Sequence, residues 1–181
     1  DSLRALGVDA IDIYLVHHPH CDNTLCDGSW KTSWRVMEDY YFANKIKYVG
    51  VSNFDLNQFH ELLDWTNIPV SVVQNWFDPF HQHDAYNLVR ECKELGIVYQ
   101  AYSLLGTQWK YIGNGYHGNK DPIFTNEKLK EIASHYKEKS VAQVVLRWAL
   151  QNEIAILPSS SKQERIRQNI DIFDFELSAA D

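Results

Sequence analysis

The sequence lacks most of what would place it outside ordinary globular proteins. Its three cysteines, Cys21, Cys26 and Cys92, are an odd number without paired spacing. That excludes a disulfide framework and reads as reduced thiols in a cytoplasmic protein. No apolar run approaches the length of a membrane span, and no signal-peptide pattern opens the chain. Positive charge is in short supply: 17 Lys and Arg against 24 Asp and Glu leave a net charge of -7, which argues against nucleic acid as a partner. A local patch for a small anionic cofactor is still compatible with that balance. Repeats and low-complexity segments are absent. No G-x-G-x-x-G follows an apolar run, so a dinucleotide site of the Rossmann type lacks its fingerprint. A starting Met is missing, and the chain opens and closes in mid-element ("DSLRALG", "FELSAAD"), so a fragment of a longer protein is expected.

What remains is 181 residues, 45% hydrophobic and 23% charged, enough for one core and one domain over 1–181. Short, mostly unalternating apolar runs predict strands at Ile11–Val16, Tyr48–Val51, Val70–Val73, Ile97–Ala101 and Ile154–Leu157. Such runs suit parallel strands buried on both faces. Helical periodicity fills the intervals. Thr32–Lys45 aligns Trp34, Met37 and Tyr41, and Asp84–Leu95 aligns Leu88 and Cys92 before stopping at Gly96. Asn126–Lys137 aligns Leu129, Ile132 and Tyr136. Three helices carry capping-box starts: Asp55 with Gln58, Ser140 with Gln143, and Ser161 with Glu164.

Strands alternating with helices predict an α/β fold with a parallel sheet and right-handed crossovers. An open doubly wound sheet and a (β/α)8 TIM-type barrel both fit the order, and the missing Gly-rich fingerprint favours the barrel. A full barrel takes about 250 residues, so five strands in this length make an incomplete one. The stretch from Leu104 to Thr125 is too long for a simple connection and reads as a functional loop over the strand ends.

Polar residues gather where strands end. His17, Ser52 with Asn53, Gln74 and Tyr102 each follow or finish an apolar run, the usual place for chemistry in a parallel α/β fold. The stretch "DIYLVHHPHC" raises a metal reading through His17, His18, His20, Cys21 and Cys26. Against it, adjacent histidines on a strand point to opposite faces, and the C-x4-C spacing has no second pair. His81 and His83 in "FHQHD" read as solvated loop before a helix. No metal is expected.

Six stretches in order resemble the aldo-keto reductase family from end to end. "SLRALGVDAIDIYLVHHP" is similar to its fourth strand with the catalytic histidine, and "KIKYVGVSNF" to its fifth strand and Ser-Asn pair. "VVQNWFDPF" resembles the sixth-strand glutamine motif, and "GIVYQAYSLLG" the seventh strand with its Tyr-Ser. "SVAQVVLRWALQ" and "ILPSSSKQERIRQNIDIFDFELS" resemble the closing helix–strand–helix signature.

The resemblance implies strands four to eight of the barrel, with their helices. It implies reduction of an aldehyde or ketone by hydride from NADPH, NADH being possible. Of the family's Asp, Tyr, Lys and His, only the histidine falls here, as His17, so the activity is expected of the parent protein and not of this chain alone. Ser52, Asn53 and Gln74 would hold the nicotinamide carboxamide. Tyr102 would stack on the ring, and Ser103 and Leu105 would continue into the loop over the pyrophosphate. Ser160 and Arg165 would meet the 2'-phosphate, and Gln168 and Asn169 the adenine.

Two departures matter. His18 replaces the tryptophan that usually lines the substrate pocket, which suggests a more polar pocket. Ser159 replaces a lysine that pairs with the 2'-phosphate, which keeps NADH in play. Other readings are a non-catalytic cofactor-binding or regulatory subunit, a metal-dependent barrel hydrolase, and a truncated product that does not fold alone. The partner is expected to be a small carbonyl compound, with no nucleic acid and no membrane; the oligomeric state is open.

Overall fold

The computed structural model describes residues 1–20, 29–110 and 122–181. Along it run α1 (Ser2–Leu6), β1 (Ile11–Val16), α2 (Trp30–Phe42), β2 (Ile46–Ser52), α3 (Leu56–Trp65), β3 (Val70–Trp76), α4 (His83–Glu94) and β4 (Val98–Tyr102). After a 3-10 turn at Thr107–Lys110 come α5 (Pro122–Thr125), α6 (Glu127–His135), α7 (Val141–Gln151), β5 (Ala155–Ile156) and α8 (Gln163–Ile170). The strands form one sheet in chain order. The β1–β2, β2–β3 and β4–β5 pairings are parallel. Parallel neighbours in chain order, joined through helices, are the wall of an incomplete (β/α)8 barrel.

Local chemistry explains where the elements start and stop. Gly7 ends α1 at φ 67, returning its N–H to the Arg4 and Leu3 carbonyls. Asp55 and Ser140 each make the expected capping box, with Gln58 and with Gln143. Gly50 sits where β2 shifts register against β3. A Cβ there would lie 2.1 Å from the Val72 carbonyl oxygen, so only glycine allows the two backbones to approach.

Contacts divide the chain into two compact units. The first is Asp1–Asn75 with Asp84–Tyr99, and the second is Trp76–His83 with Gln100–Asp181. In the first, Trp34, Val49, Val51, Phe54, Phe59, Leu62, Val73 and Leu88 are buried. A carboxylate is buried with them. Glu38 accepts from Trp34 Nε1 (3.1 Å), Asn67 N (2.8 Å), Asn67 Nδ2 (3.1 Å) and Arg35 Nη1 (2.5 Å). Burial pushes its carboxyl up, but the donors from Asn67 and Arg35 outweigh burial and hold it below its ordinary value.

In the second unit, Ile132, Ala133 and Val144 pack with Tyr136, Val141, Phe175 and Leu177. Phe77 stacks on Trp148 with centroids 5.5 Å apart. Tyr136 Oη donates to Asp181 Oδ2 at 2.5 Å, which, with the Ser178 donors, draws the Asp181 carboxyl down to about 2.

Four expectations need correction. First, β1 is not buried on both faces: Ile13 is 50% and Tyr14 37% exposed, because β1 lies at the sheet's edge. Second, α8 has no Ser161–Glu164 box. Ser160 Oγ accepts the Lys162 N–H at 3.1 Å, Lys162 becomes the N-cap without a side-chain bond, and no α8 residue is buried. Third, β2 and β3 run on through Ser52 and Trp76, because the ladder continues where the apolar run stops, Ser52 pairing with Gln74. Fourth, the segment after Leu104 holds a 3-10 turn and α5, and its residues 111–121 lie outside the described ones.

Candidate functional site

In the first unit, β1, β2 and β3 end side by side and deliver His17, Ser52, Asn53 and Gln74 to one edge of the sheet. Parallel pairing dictates this: strands that run the same way finish at the same end. His17 and His18 are exposed, one and two residues past β1. Ser52 is buried at 2% exposure. Asn53 is half-buried and adopts φ 61, the left-handed conformation that asparagine tolerates better than most residues.

That backbone turn aims the Asn53 amide across the strand ends. Its Nδ2 donates to the His17 carbonyl oxygen at 2.8 Å and to Ser52 Oγ at 3.1 Å. Its main-chain N–H donates to the Gln74 carbonyl at 3.1 Å. An amide placed this way supplies a structural tie and a polar edge for a ligand amide. Sequence reasoning misses Asn75, whose Nδ2 donates to the Phe54 carbonyl at 2.7 Å. The only signal was a second amide directly after Gln74, two residues past the apolar run Val70–Val73.

The histidine pair departs from expectation. The His17 and His18 rings pack at 4.1 Å between centroids, tilted by 39°, instead of facing opposite ways. Strand alternation does not govern them, because β1 ends at Val16. His20 is exposed, and Cys21 and Cys26 lie outside the described residues. Among the described residues no group of three His, Cys, Asp or Glu is placed to hold a metal. His81 is not solvated loop: it is half-buried, and its ring packs on Trp76 at 3.8 Å. His83 is the first residue of α4.

In the second unit, Tyr102 closes β4, and Ser103 follows at φ 54. A serine in the left-handed region is a strained choice of the kind found at functional turns. Burial pushes the Tyr102 phenol above its ordinary value, the Trp76 peptide offsetting part of the effect, so it stays protonated near neutral pH. A separate cavity of about 390 Å³ is lined by Leu105, Ser159, Ser160, Arg165, Gln168 and Asn169, together with Thr107 and neighbours from α5 and α7. Five expected residues therefore share one hollow; Tyr102 and Ser103 are not part of its lining. Hydroxyls, amides and the Arg165 guanidinium fit an anionic, hydrogen-bonding ligand such as a phosphorylated nucleoside. Cys92 offers no chemistry, since burial pushes its thiol up to about 12.

The whole chain, residues 1–181, matches the family model described as "Aldo/keto reductase family". It is 38% identical over 180 residues to glyoxal reductase of Bacillus subtilis (strain 168), covering 99% of this chain and 57% of that protein. It is 33% identical over 178 residues to the NADPH-dependent alpha-keto amide reductase of Saccharomyces cerevisiae, covering 98% and 55%. A crystal structure of a Bombyx mori aldo-keto reductase in complex with NADP superposes with TM-score 0.83 at 32% identity, covering 98% of this chain and 57% of that one. The chain thus spans little more than half the length of these relatives.

Proposed function

The chain belongs to the aldo/keto reductase family, and from that premise we propose that the polypeptide carrying it reduces aldehydes or ketones to alcohols with NADPH. The reading treats 1–181 as part of one barrel domain and gives activity to the protein at its relatives' full length. The observation that carries it is the tie between strand ends, Asn53 Nδ2 to the His17 carbonyl at 2.8 Å and Asn53 N–H to the Gln74 carbonyl at 3.1 Å. One amide there serves both the residue expected to meet the substrate and those expected to meet the cofactor.

When bound, the nicotinamide cofactor supplies the hydride. The chain's own residues bind and orient. The exposed His17 imidazole offers a ring N–H to the substrate carbonyl oxygen, fixing its direction and favouring negative charge on it. His18, packed on His17, presents a polar surface to the substrate. Ser52, Asn53 and Gln74 hold a carboxamide and so select which ring face is presented. Tyr102 gives an aromatic face to stack on the ring. Ser160 and Arg165 take an anionic group, Gln168 and Asn169 take a base edge, and Ser103 and Leu105 lead into the loop over the pyrophosphate. With Ser159 in place of a lysine, NADH is the competing cofactor. The proposed setting is cytoplasmic, with a small carbonyl compound as partner; among the described residues no helix is long and apolar enough to cross a membrane.

The test is expression of the full-length gene product and loss of cofactor fluorescence in the presence of small aldehydes and ketones. Turnover that His17→Ala lowers strongly supports the reading. Cofactor binding without turnover of any carbonyl favours the non-catalytic subunit instead, and neither binding nor turnover ends both.

A further inference from the structure

The geometry points to Asn75 as a positioning residue that holds the Ser52–Asn53 turn in its ligand-binding shape through the Phe54–Asp55 peptide; the inference rests on the reductase reading. Asn75 follows Gln74 on β3, and its Nδ2 donates to the Phe54 carbonyl oxygen at 2.7 Å. That oxygen belongs to the Phe54–Asp55 peptide. The N–H of the same peptide donates to Gln58 Oε1 at 2.9 Å, as half of the capping box of α3. Both polar ends of one peptide are therefore gripped by side chains, one from β3 and one from α3. The peptide lies one residue beyond Asn53, on the far side of Phe54, and Asn53 at φ 61 turns the chain out of β2.

The cost of the arrangement shows what it is for. Asn75 Oδ1 is buried without a hydrogen-bond partner. A buried, unpaired amide oxygen is unfavourable, and an apolar residue would remove it. A side chain chosen for core stability alone would not be an amide. What the amide adds is the single bond to the Phe54 carbonyl. With Phe54 itself 1% exposed and its ring edge-on to Trp30 at 5.6 Å, the chain just past Asn53 has little freedom left. Asn53 then enters each binding event with its amide already aimed at the strand ends, which lowers the ordering cost that a ligand must meet.

Asn75→Leu and Asn75→Asp in the full-length protein keep the side chain's size and delete the donor. Each is expected to weaken NADP+ binding about tenfold, the worth of one well-placed hydrogen bond. Binding of adenosine 2',5'-bisphosphate, which carries no nicotinamide, should stay within about twofold, with the thermal midpoint near that of the parent. Asn75→Asp should regain NADP+ affinity as the pH falls, because a protonated carboxyl can donate again. Unchanged NADP+ affinity in both variants, or equal loss for the two ligands, overturns the inference. If the unsubstituted protein binds no NADP+, the reductase reading fails by itself. Amide exchange at Asn53 and Asp55 then decides the positioning claim: faster in both variants sustains it, unchanged exchange overturns it.

Discussion

Asn53 Nδ2 lies 2.8 Å from the main-chain carbonyl oxygen of His17, so the side chain that would face a nicotinamide amide also holds the loop that would face the substrate. The bond joins residues 36 apart in sequence and exists only because β1 and β2 run parallel and finish together. Its second N–H goes to Ser52 Oγ at 3.1 Å. Both bonds engage the Nδ2 group within the protein, so Asn53 ties the two strand ends together through its side-chain amide.

Backbone and side chain at Asn53 can be separated by substitution. Glycine keeps the left-handed turn and loses the amide; alanine loses the amide and pays for a Cβ at φ 61. Asn53→Ala is expected to unfold about 1 kcal/mol more easily than Asn53→Gly. Both should bind NADP+ more weakly than the parent by a similar factor. Denaturant titration and tryptophan quenching measure the two quantities. Equal stability of the variants would show that the turn relaxes when the amide is gone.

Gly50→Ala should cost about 3 kcal/mol or more, because its Cβ would sit 2.1 Å from the Val72 carbonyl oxygen and 2.8 Å from a Leu15 methyl. Backbone cannot yield there without breaking the β2–β3 ladder that carries Ser52 and Gln74. Chemical denaturation of the full-length protein checks this, and a loss below about 1 kcal/mol would mean that the two strands can part locally.

Glu38 predicts an acid limit. Its carboxyl is held below the ordinary value in the fold despite burial, so the folded state binds the proton less readily than the unfolded chain does. The stability it contributes is complete above the ordinary carboxylate value of 4.5 and is lost as the pH falls through the lower, folded one. Glu38→Ala should lower stability at neutral pH by about 3 kcal/mol, since the Asn67 amide groups lose their acceptor and Trp34 Nε1 keeps only Thr66 Oγ1. It should also flatten the pH dependence below pH 4.5. An unchanged acid profile would place the acid-sensitive group elsewhere.

Much of this architecture could be read from sequence, and the reasons differ by element. Strand β1 and the two real capping boxes depend on short-range patterns, and they appear where expected. The reach of β2 and β3 past their apolar runs depends on the partner strand, which no local pattern encodes. The His17–His18 ring contact depends on where a strand stops, and alternation fails one residue later. Asn75 and Glu38 were illegible for a common reason: each sets a polar side chain against a partner distant in sequence, Phe54 or Asn67, that only the fold brings near. The cavity residues Leu105, Ser160, Arg165, Gln168 and Asn169 were found by resemblance; periodicity alone describes α8 as an exposed amphipathic helix.

Ser159 decides the last prediction, because it lines the same cavity as Arg165 and carries no charge. Among the residues lining that hollow, Arg165 is the cation, so a 2'-phosphate there would be met by one guanidinium and by neutral donors. Ser159→Lys adds a second positive group at the lining. A charge-assisted hydrogen bond is worth about 1.5–3 kcal/mol, which converts to roughly ten- to a hundredfold in affinity. The gain should fall on NADPH and leave NADH nearly unchanged, since only the former carries the extra phosphate. It should shrink as salt is raised, because the cavity is open enough for ions to screen it. Parallel titrations of both cofactors at low and high ionic strength test this. An equal gain for the two would place the lysine against the pyrophosphate, and no gain at all would remove this cavity from the cofactor site.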